Sequence, residues 1–253
     1  WRAPLGPDDG SETYDLIHPV TAATASPTVT VWRHKRFTAR IDLNPGSGVT
    51  YLFDECSFEG GNDFWTVDQA AGDSSNQMTP RVIFRRCQFD GGNNTDRVLS
   101  GHRMWLDRCH VTGGADGWQG CAFSVMIDSN VIATTDTRNP DPHSDGIQFT
   151  DTGDATFYQS WLSGGSFPGT NAAARLGTEF GAIDAVGFYY WGFERAGYTL
   201  QVRGDAGSGD ITNTVVQGCR FAPNFGYATH DFVEATGTTW TDNAMLDGTP
   251  LSL

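Results

Sequence analysis

The 253-residue sequence has no long apolar run and no recognisable leader segment. No apolar stretch approaches the roughly 18 residues that a membrane-spanning helix needs, so membrane insertion is not expected. The first residues lack the apolar core of a signal peptide, and they also lack an initiator Met. This beginning predicts a chain that was processed or cut from something longer.

Basic residues are scarce, since 16 Lys and Arg stand against 30 Asp and Glu, for a formal net charge of −14. Such a charge disfavours nucleic acids and anionic membranes as partners. A disordered acidic chain would have few aromatic residues, whereas 12% of this chain is aromatic. The composition therefore predicts a folded protein that binds neither nucleic acid nor membrane.

Several familiar signatures of chemistry are also missing. The sequence has no CxxC or HxxxH spacing for zinc, no phosphate-binding P-loop and no sign of a Ser-His-Asp triad. Helical periodicity is missing as well, apart from a short helix-like patch at Asn171–Arg175. The strongest remaining signal is an internal repeat.

A short pattern recurs along the chain, in which two apolar residues five positions apart enclose a Cys, Asn or Ser. Its plainest copies are Phe53–Phe58, Phe84–Phe89 and Leu106–Val111. Nine copies can be aligned, with first apolar residues Trp32, Phe53, Phe84, Leu106, Ile127, Phe157, Phe188, Val216 and Trp240. A minimum period of about 22 residues with short strands and Gly turns is typical of a β-solenoid, whereas a propeller blade needs about 40.

The fourth position of each copy is expected to stack from coil to coil at the strand spacing of about 4.8 Å. Its nine occupants are Lys35, Cys56, Cys87, Cys109, Asn130, Ser160, Trp191, Cys219 and Asn243. Cysteines stacked in this way lie slightly too far apart for good disulfide geometry. They are therefore predicted to be buried free thiols, and Lys35 and Trp191 mark the two least regular coils.

This repeated bend resembles the internal side-chain ladder of the right-handed parallel β-helix, the pectate-lyase-like fold, over residues 31 to about 250. We therefore predict one all-β domain, a single-stranded right-handed parallel β-helix of about nine coils over residues 31–253. Residues 1–30 lack the repeat and are predicted to form an N-terminal cap. The fold by itself names no activity.

The longest insertions fall in the fifth and sixth coils, and binding groups usually lie on such loops. There, Asp141-Pro142-His143-Ser144-Asp145 resembles the Asp-Pro-His-Asp motif of β-helical alginate epimerases. The resemblance implies that His143 exchanges the proton next to a uronate carboxylate while Asp141 orients its imidazole. Ser144 stands where that family has its second Asp, and Asp145 follows one place later. The stretch is also similar to segments of β-helical phage tail proteins.

A structural role for Asp145 competes with the catalytic one. The predicted register places it in one column with Asp63, Asp96, Asp116 and Asp231, and an Asp before a strand normally accepts hydrogen bonds from turn N–H groups. Stacked carboxylates repel one another, and a bound calcium ion would offset this repulsion, so calcium is the one ion that this column could hold. No other cofactor is expected. A glycoside hydrolase would need two carboxylates about 5–9.5 Å apart.

Aromatic residues gather in the later coils, at positions expected to point outward. They are Tyr158, Trp161, Tyr189 and Tyr190, with Glu194 and Arg220 nearby. Such rings suit sugars, whose C–H faces stack on them while acids and amides bind the hydroxyls. The alternative is burial of these rings against a loop or another subunit. Because the patch shares its coils with the long insertions, the sequence predicts one glycan-binding groove.

Taken together, the chain resembles the tail-spike and tail-fibre proteins with which phages bind bacterial surface polysaccharide. The resemblance implies a glycan-recognising homotrimer on a virion tail or outside the cell, with or without cleavage of the bound glycan. Two alternatives stay open. One is a polysaccharide lyase or uronate epimerase that uses His143, and the other is a non-catalytic structural module of a virion or cell surface.

Overall fold

The computed structural model describes residues 16–17, 28–45, 49–60, 65–69, 81–92, 96–120, 122–134, 144–150, 155–164, 170–204 and 209–253. Within these ranges the strands form three nine-stranded sheets, A to C, and one three-stranded sheet, D. No α-helix occurs in the described ranges, so they hold no helix that could cross a membrane.

Sheet A contains β1 (Leu16–Ile17), β4 (Ile41–Asn44), β7 (Trp65–Gln69), β10 (Arg97–Gly101), β13 (Asp116–Gly120), β16 (Ser144–Phe149), β19 (Thr170–Gly177), β23 (Ala196–Arg203) and β27 (Phe225–Val233). Sheet B contains β2 (Thr28–Arg33), β5 (Val49–Asp54), β8 (Val82–Arg85), β11 (Met104–Asp107), β14 (Val125–Ile127), β17 (Ala155–Tyr158), β21 (Val186–Tyr189), β25 (Val215–Gln217) and β29 (Thr239–Thr241). Sheet C contains β3 (Arg36–Phe37), β6 (Ser57–Glu59), β9 (Gln88–Asp90), β12 (His110–Thr112), β15 (Asn130–Ile132), β18 (Trp161–Ser163), β22 (Gly192–Glu194), β26 (Arg220–Phe221) and β30 (Ala244–Met245). Sheet D contains β20 (Ile183–Asp184), β24 (Ile211–Thr212) and β28 (Ala235–Thr236).

Each coil contributes one strand to each of the three large sheets, and neighbouring coils pair in parallel. The predicted parallel β-helix of nine coils is therefore confirmed. Strand β1 and the first residues of β2 precede residue 31, so pairing already begins inside the segment predicted as an N-terminal cap.

The interior is filled by apolar side chains that stack coil upon coil. On sheet B the rings of Trp32, Phe53 and Phe84 follow one another with centroids 4.8 and 5.2 Å apart. On sheet C a second stack has centroids 4.8 and 4.7 Å apart and consists of Phe37, Phe58 and Phe89. These separations match the strand spacing of about 4.8 Å, so each coil places one ring against the next without distorting the backbone.

The bend between sheets B and C has the same conformation in all nine coils. Its first residue has a φ between 45° and 67°, and the nine residues are His34, Glu55, Arg86, Arg108, Asp128, Gln159, Tyr190, Gly218 and Asp242. Gly adopts this left-handed conformation freely, whereas other residues do so at a cost of about 1–2 kcal/mol. Eight coils bear that cost because the bend must carry the chain from one sheet to the next within two residues.

The second residue of the bend forms the predicted ladder and is buried in eight of the nine coils, whereas Lys35 of the first coil is exposed. The backbone N–H of Cys109 donates to Ser129 Oγ at 2.8 Å, and that of Ser129 donates to Ser160 Oγ at 3.1 Å. The N–H of Cys219 likewise donates to Asn243 Oδ1 at 2.9 Å. These side chains satisfy buried N–H groups that would otherwise lack a partner.

The ladder cysteines Cys56, Cys87, Cys109 and Cys219 are buried and free, as predicted. The thiol of Cys109 donates to the Phe84 carbonyl at 3.3 Å, so it bonds to the preceding coil as a serine would. Burial raises the pKa of the Cys219 thiol to about 11. Trp191 also occupies its predicted ladder position, where it is buried between the rings of Phe157 and Phe188.

The prediction for the fifth coil is wrong by one residue. Strand pairing aligns Met126 with Leu106 and Val131 with Val111. The anchor and ladder positions are therefore Met126, Ser129 and Val131 instead of Ile127, Asn130 and Ile132, and the outward position is Ile127 instead of Asp128. Both frames place apolar residues at the anchors and a small polar residue between them, so the sequence pattern fits either one.

The helix-like patch at Asn171–Arg175 is also predicted wrongly, because these residues lie in β19. Ala172, Ala173 and Ala174 are fully buried there. Small side chains are required because β19 packs closely on β16, where a Cβ on Gly146 would lie 2.3 Å from the Ala173 carbonyl oxygen. Tertiary packing therefore overrides the helical preference of alanine.

Candidate functional site

Two of the open clefts on the outside of the solenoid are lined by described residues. The first, which we call the bend cleft, has a volume of about 600 Å³ and follows the bend between sheets B and C from the fifth coil to the ninth. Its walls include Asp128, Asn130, Gln159, Trp161, Tyr190 and Arg220. The second, the sheet-A cleft, has a volume of about 490 Å³ and includes Trp65, Asp68, Arg97, Gln119 and Phe180.

Trp161 forms the floor of the bend cleft. It projects from the outer face of β18 and pairs in register with Gly192 of the next coil. A Cβ on Gly192 would lie 1.8 Å from Cε3 of Trp161, so the indole covers the space that a side chain would fill. The glycine thus lets the indole lie against the sheet as a half-buried platform.

Tyr190 forms the wall of the bend cleft, and its backbone is strained. It is the first residue of the seventh bend, with a φ of 59°, and its side chain is 52% exposed. Its ring lies beside Gly218 of the next coil, where a Cβ would come within 2.6 Å of Tyr190 Cδ1, and it meets Tyr158 edge-on at 5.6 Å. The same left-handed φ recurs at the first residue of all nine bends, so at Tyr190 it is a property of the fold.

Polar groups surround these two rings. Nη1 of Arg220 donates to the carbonyl oxygens of Gly218, Cys219 and Asp242 at 3.3, 2.9 and 3.0 Å, which fixes its guanidinium group on the wall. The Asn130 side chain is held by a hydrogen bond between its Oδ1 and Nδ1 of His110. The bend cleft therefore presents rigid aromatic surfaces beside fixed hydrogen-bonding groups.

The structure brings together three of the six residues predicted to bind substrate, namely Trp161, Tyr190 and Arg220. Tyr158 and Tyr189 lie on the outer face of sheet B instead, and Glu194 lies on sheet C outside the residues that line the bend cleft. The predictions for these three side chains stay predictions.

Sequence reasoning missed three polar residues of the bend cleft, Asp128, Asn130 and Gln159. They occupy the bend and the first sheet-C position in the two coils before Tyr190. Their positions relative to the bend could have revealed them in the sequence. The fifth coil was aligned one residue out of register, however, which placed Asn130 in the core ladder instead of on the surface.

Asp145 lies on sheet A and is fully buried. Its backbone N–H donates to Asp116 Oδ1 at 2.9 Å, and its own Oδ1 accepts the N–H of Ala172 at 2.8 Å. Nη1 of Arg175 lies 4.0 Å from its Oδ2. Asp145 therefore links three successive coils, with its backbone N–H bound to the coil before and its carboxyl group bound to the coil after, which is a structural role.

Burial raises the pKa of Asp145 well above its ordinary value, and the negative charge of Asp116 raises it further. Burial likewise raises the pKa of Asp116 to about 7. Two neighbouring carboxyl groups with such values hold a proton close to neutral pH. Among the described residues, no group of three or more His, Cys, Asp and Glu side chains could hold a metal ion.

The predicted column of aspartates is wrong beyond Asp116. Asp96 precedes Arg97, which is the residue that pairs with Asp116. Asp231 pairs with Gln201 in a neighbouring column. Register therefore joins Asp145 to one described aspartate, and Asp63 lies outside the described residues.

Asp141 and His143 also lie outside the described residues, so their catalytic roles stay predictions. Asp145 belongs to sheet A, whereas the bend cleft lies between sheets B and C. The aromatic residues of the bend cleft and the buried acid pair therefore occupy different faces of the solenoid. The predicted groove joined the aromatic patch to the long insertions, whose loop residues 135–143 and 165–169 lie outside the described residues, so the single groove stays a prediction.

The sheet-A cleft is less suited to stacking a ligand. The guanidinium group of Arg40 lies 4.0 Å from the centre of the Trp65 ring, and Trp65 Nε1 donates to Asp42 Oδ1 at 2.9 Å. One face of this indole is therefore already occupied. The cleft is instead rich in polar groups, such as Gln119, whose Nε2 donates to Gln148 Oε1 at 2.7 Å.

Comparisons of the chain with protein-family models, with curated proteins and with solved structures found no match.

Proposed function

We propose that this protein is a glycan-recognising parallel β-helix that binds bacterial surface polysaccharide through the bend cleft, in the manner of a phage tail spike or tail fibre. The observation that carries the proposal is the pairing of Trp161 and Tyr190 in one cleft, each ring against a glycine of the next coil.

The chemistry of this cleft fits a sugar. One face of a sugar ring presents C–H groups that pack on an indole or phenol ring, while its hydroxyls need donors and acceptors at the edge. Trp161 and Tyr190 supply the rings. The side chains of Asp128, Asn130 and Arg220 supply hydrogen-bond donors and acceptors for the hydroxyls. The volume of about 600 Å³ lies in the usual range for ligand sites, about 300–1,000 Å³.

The rigidity of the site favours binding as well. Trp161 is supported by the sheet, and Arg220 is tied to three carbonyl oxygens. Side chains that are already ordered lose little conformational entropy when a ligand binds. A cleft built on nine stacked coils therefore suits recognition of a repetitive ligand without rearrangement.

Charge favours a neutral glycan over a polyanion. The walls of the bend cleft carry both Asp128 and Arg220, whereas the whole chain carries a net charge of −14. That net charge repels a polyanionic chain at long range. A polysaccharide ligand also implies a location on the virion tail or outside the cell.

Cleavage of the bound glycan is a second candidate function, but the acid pair does not support it, because Asp116 and Asp145 are buried on sheet A, away from the bend cleft. The lyase or epimerase alternative would depend on His143 and Asp141. A structural module of a virion or cell surface would neither bind a glycan nor cleave one.

These functions separate in one experiment with the purified chain. We expect retention on one immobilised polysaccharide from a panel of bacterial surface and uronate glycans, with no change in its length. Retention on none of them would overturn the proposed function. Newly released reducing ends would establish hydrolysis, and ultraviolet absorbance of unsaturated uronate that disappears with His143→Ala would establish a lyase.

A further inference from the structure

The outer face of sheet B carries an apolar column across the first five coils. Strand register places its members directly above one another, and they are Val31, Leu52, Ile83, Trp105 and Val125. We call this column the apolar stripe. None of the five side chains is buried. The two most exposed are Val31, at 43%, and Trp105, at 37%.

The other two faces of the same coils are polar. The matching outward column on sheet C reads Arg36, Ser57, Gln88, His110 and Asn130. On sheet A it reads Asp42, Asp68, Ser100, Gln119 and Gln148. Parallel sheets are normally covered on both faces, and contiguous exposed apolar residues mark an interface. Sheet B is therefore the face on which a partner should lie.

The column beside the apolar stripe alternates in charge, as Arg33, Asp54, Arg85 and Asp107. The two inner residues pair within the chain, since Arg85 Nη2 lies 2.5 Å from Asp54 Oδ2. Hydrogen bonding from Arg85 lowers the pKa of Asp54 to about 2, so this carboxylate is ionised at neutral pH. The outer two also have partners within the chain, since Arg33 Nε lies 3.7 Å from Asp54 Oδ2 and Arg108 Nη2 lies 2.7 Å from Asp107 Oδ2. The Arg33 side chain is nevertheless 61% and the Asp107 side chain 33% exposed, so both can reach a second copy.

This order of charges is complementary to itself when reversed. A second copy that runs antiparallel to the first would place its Asp107 opposite Arg33 and its Arg85 opposite Asp54. The apolar stripe matches in the same way, because the large Trp105 of one copy would face the small Val31 of the other. A two-fold axis makes every such contact occur twice.

We propose that the apolar stripe is the interface of a two-fold homodimer of this chain. The two-fold axis pairs the first four coils, so Val125 of the fifth coil stays outside the contact. Four coils at about 4.8 Å with strands of four to six residues give a face of about 300 Å² per copy. The total of about 600 Å² is small for a stable complex, so a weak dimer that dissociates in the micromolar range or above is expected. The resemblance to tail spikes implied a trimer, which this geometry does not favour.

Sedimentation between about 1 and 200 µM tests the proposal on the whole chain, with the range set by the expected micromolar dissociation. The wild-type mass should rise from monomer to dimer. Trp105→Asp should keep the chain monomeric throughout, because it places a carboxylate inside the apolar contact. Thr156→Asp is the matched control, since Thr156 occupies the same column one coil beyond the apolar stripe and should still dimerise.

A charge exchange tests the antiparallel geometry itself. Arg33→Asp and Asp107→Arg should each weaken dimerisation about tenfold or more, and the two together should restore it, because the two residues would meet only between copies. Restoration also keeps the test valid if one single variant folds poorly. A wild-type chain that stays monomeric, forms a trimer, or dimerises regardless of Trp105→Asp would overturn the proposal.

Discussion

Tyr190→Gly should abolish glycan binding while leaving the stability of the fold nearly unchanged. We expect affinity for the retained glycan to fall at least about 30-fold, as is typical when a central aromatic contact is lost. The free energy of unfolding should stay within about 1 kcal/mol of wild type. Glycine relieves the left-handed strain at a φ of 59°, and this gain offsets the lost packing of the ring.

The matched control is Asp242→Gly, at the same bend position two coils later, with a φ of 56°. It should gain stability for the same backbone reason and should bind glycan like the wild type. Chemical denaturation and calorimetric titration on the three proteins separate the two effects. Unchanged binding by Tyr190→Gly would contradict the assignment of the bend cleft.

Asp145→Asn should stabilise the protein at about pH 8, by an amount on the order of 2 kcal/mol. The wild type itself should lose stability between about pH 5 and pH 8. Burial raises the pKa of Asp145 and raises that of Asp116 to about 7, whereas an unfolded Asp releases its proton near pH 4. Above about pH 4 the folded state therefore binds more protons than the unfolded state, so stability falls as pH rises through the folded-state pKa values of the pair.

Asparagine keeps the shape of Asp145 and can still accept the N–H of Ala172, but it carries no charge at any pH. Asp184→Asn is the control, because hydrogen bonds from Thr212 and Asn213 lower the pKa of Asp184 and it titrates below this window. Urea denaturation at pH 5 and at pH 8 gives the comparison. Equal stability of the wild type at pH 5 and pH 8 would contradict the raised pKa values of Asp116 and Asp145.

The fold was largely predictable because its rules are local and repeated. Rings such as Phe53 and Phe84 recur at coil spacing, and the ladder position between two apolar anchors recurs with them. The alignment predicted for the fifth coil was wrong because Met126 and Ile127 are adjacent apolar residues. The sequence pattern cannot decide which of the two faces the core. The helix predicted at Asn171–Arg175 is strand β19 instead, because close packing on Gly146 outweighs the preference of alanine for helix.

The candidate site was predictable only in part. Trp161 and Tyr190 stood out as aromatic residues in outward positions, but Tyr158 shares that pattern and lies on another face. The left-handed residue at each bend turns the chain, so residues close in sequence face different sheets. Burial of Asp145 was equally hidden, because it depends on the chain segments of the neighbouring coils, which are distant in sequence.

Each cleft has one tryptophan that a ligand can reach, Trp161 in the bend cleft and Trp65 in the sheet-A cleft, because Trp191 in the bend cleft is buried. The measurement is calorimetric titration of the retained glycan into wild type, Trp161→Ala and Trp65→Ala. We expect Trp161→Ala to weaken binding at least about tenfold, whereas Trp65→Ala should change it less than about twofold. Loss of binding with Trp65→Ala and retention with Trp161→Ala would contradict binding in the bend cleft and place the glycan on sheet A.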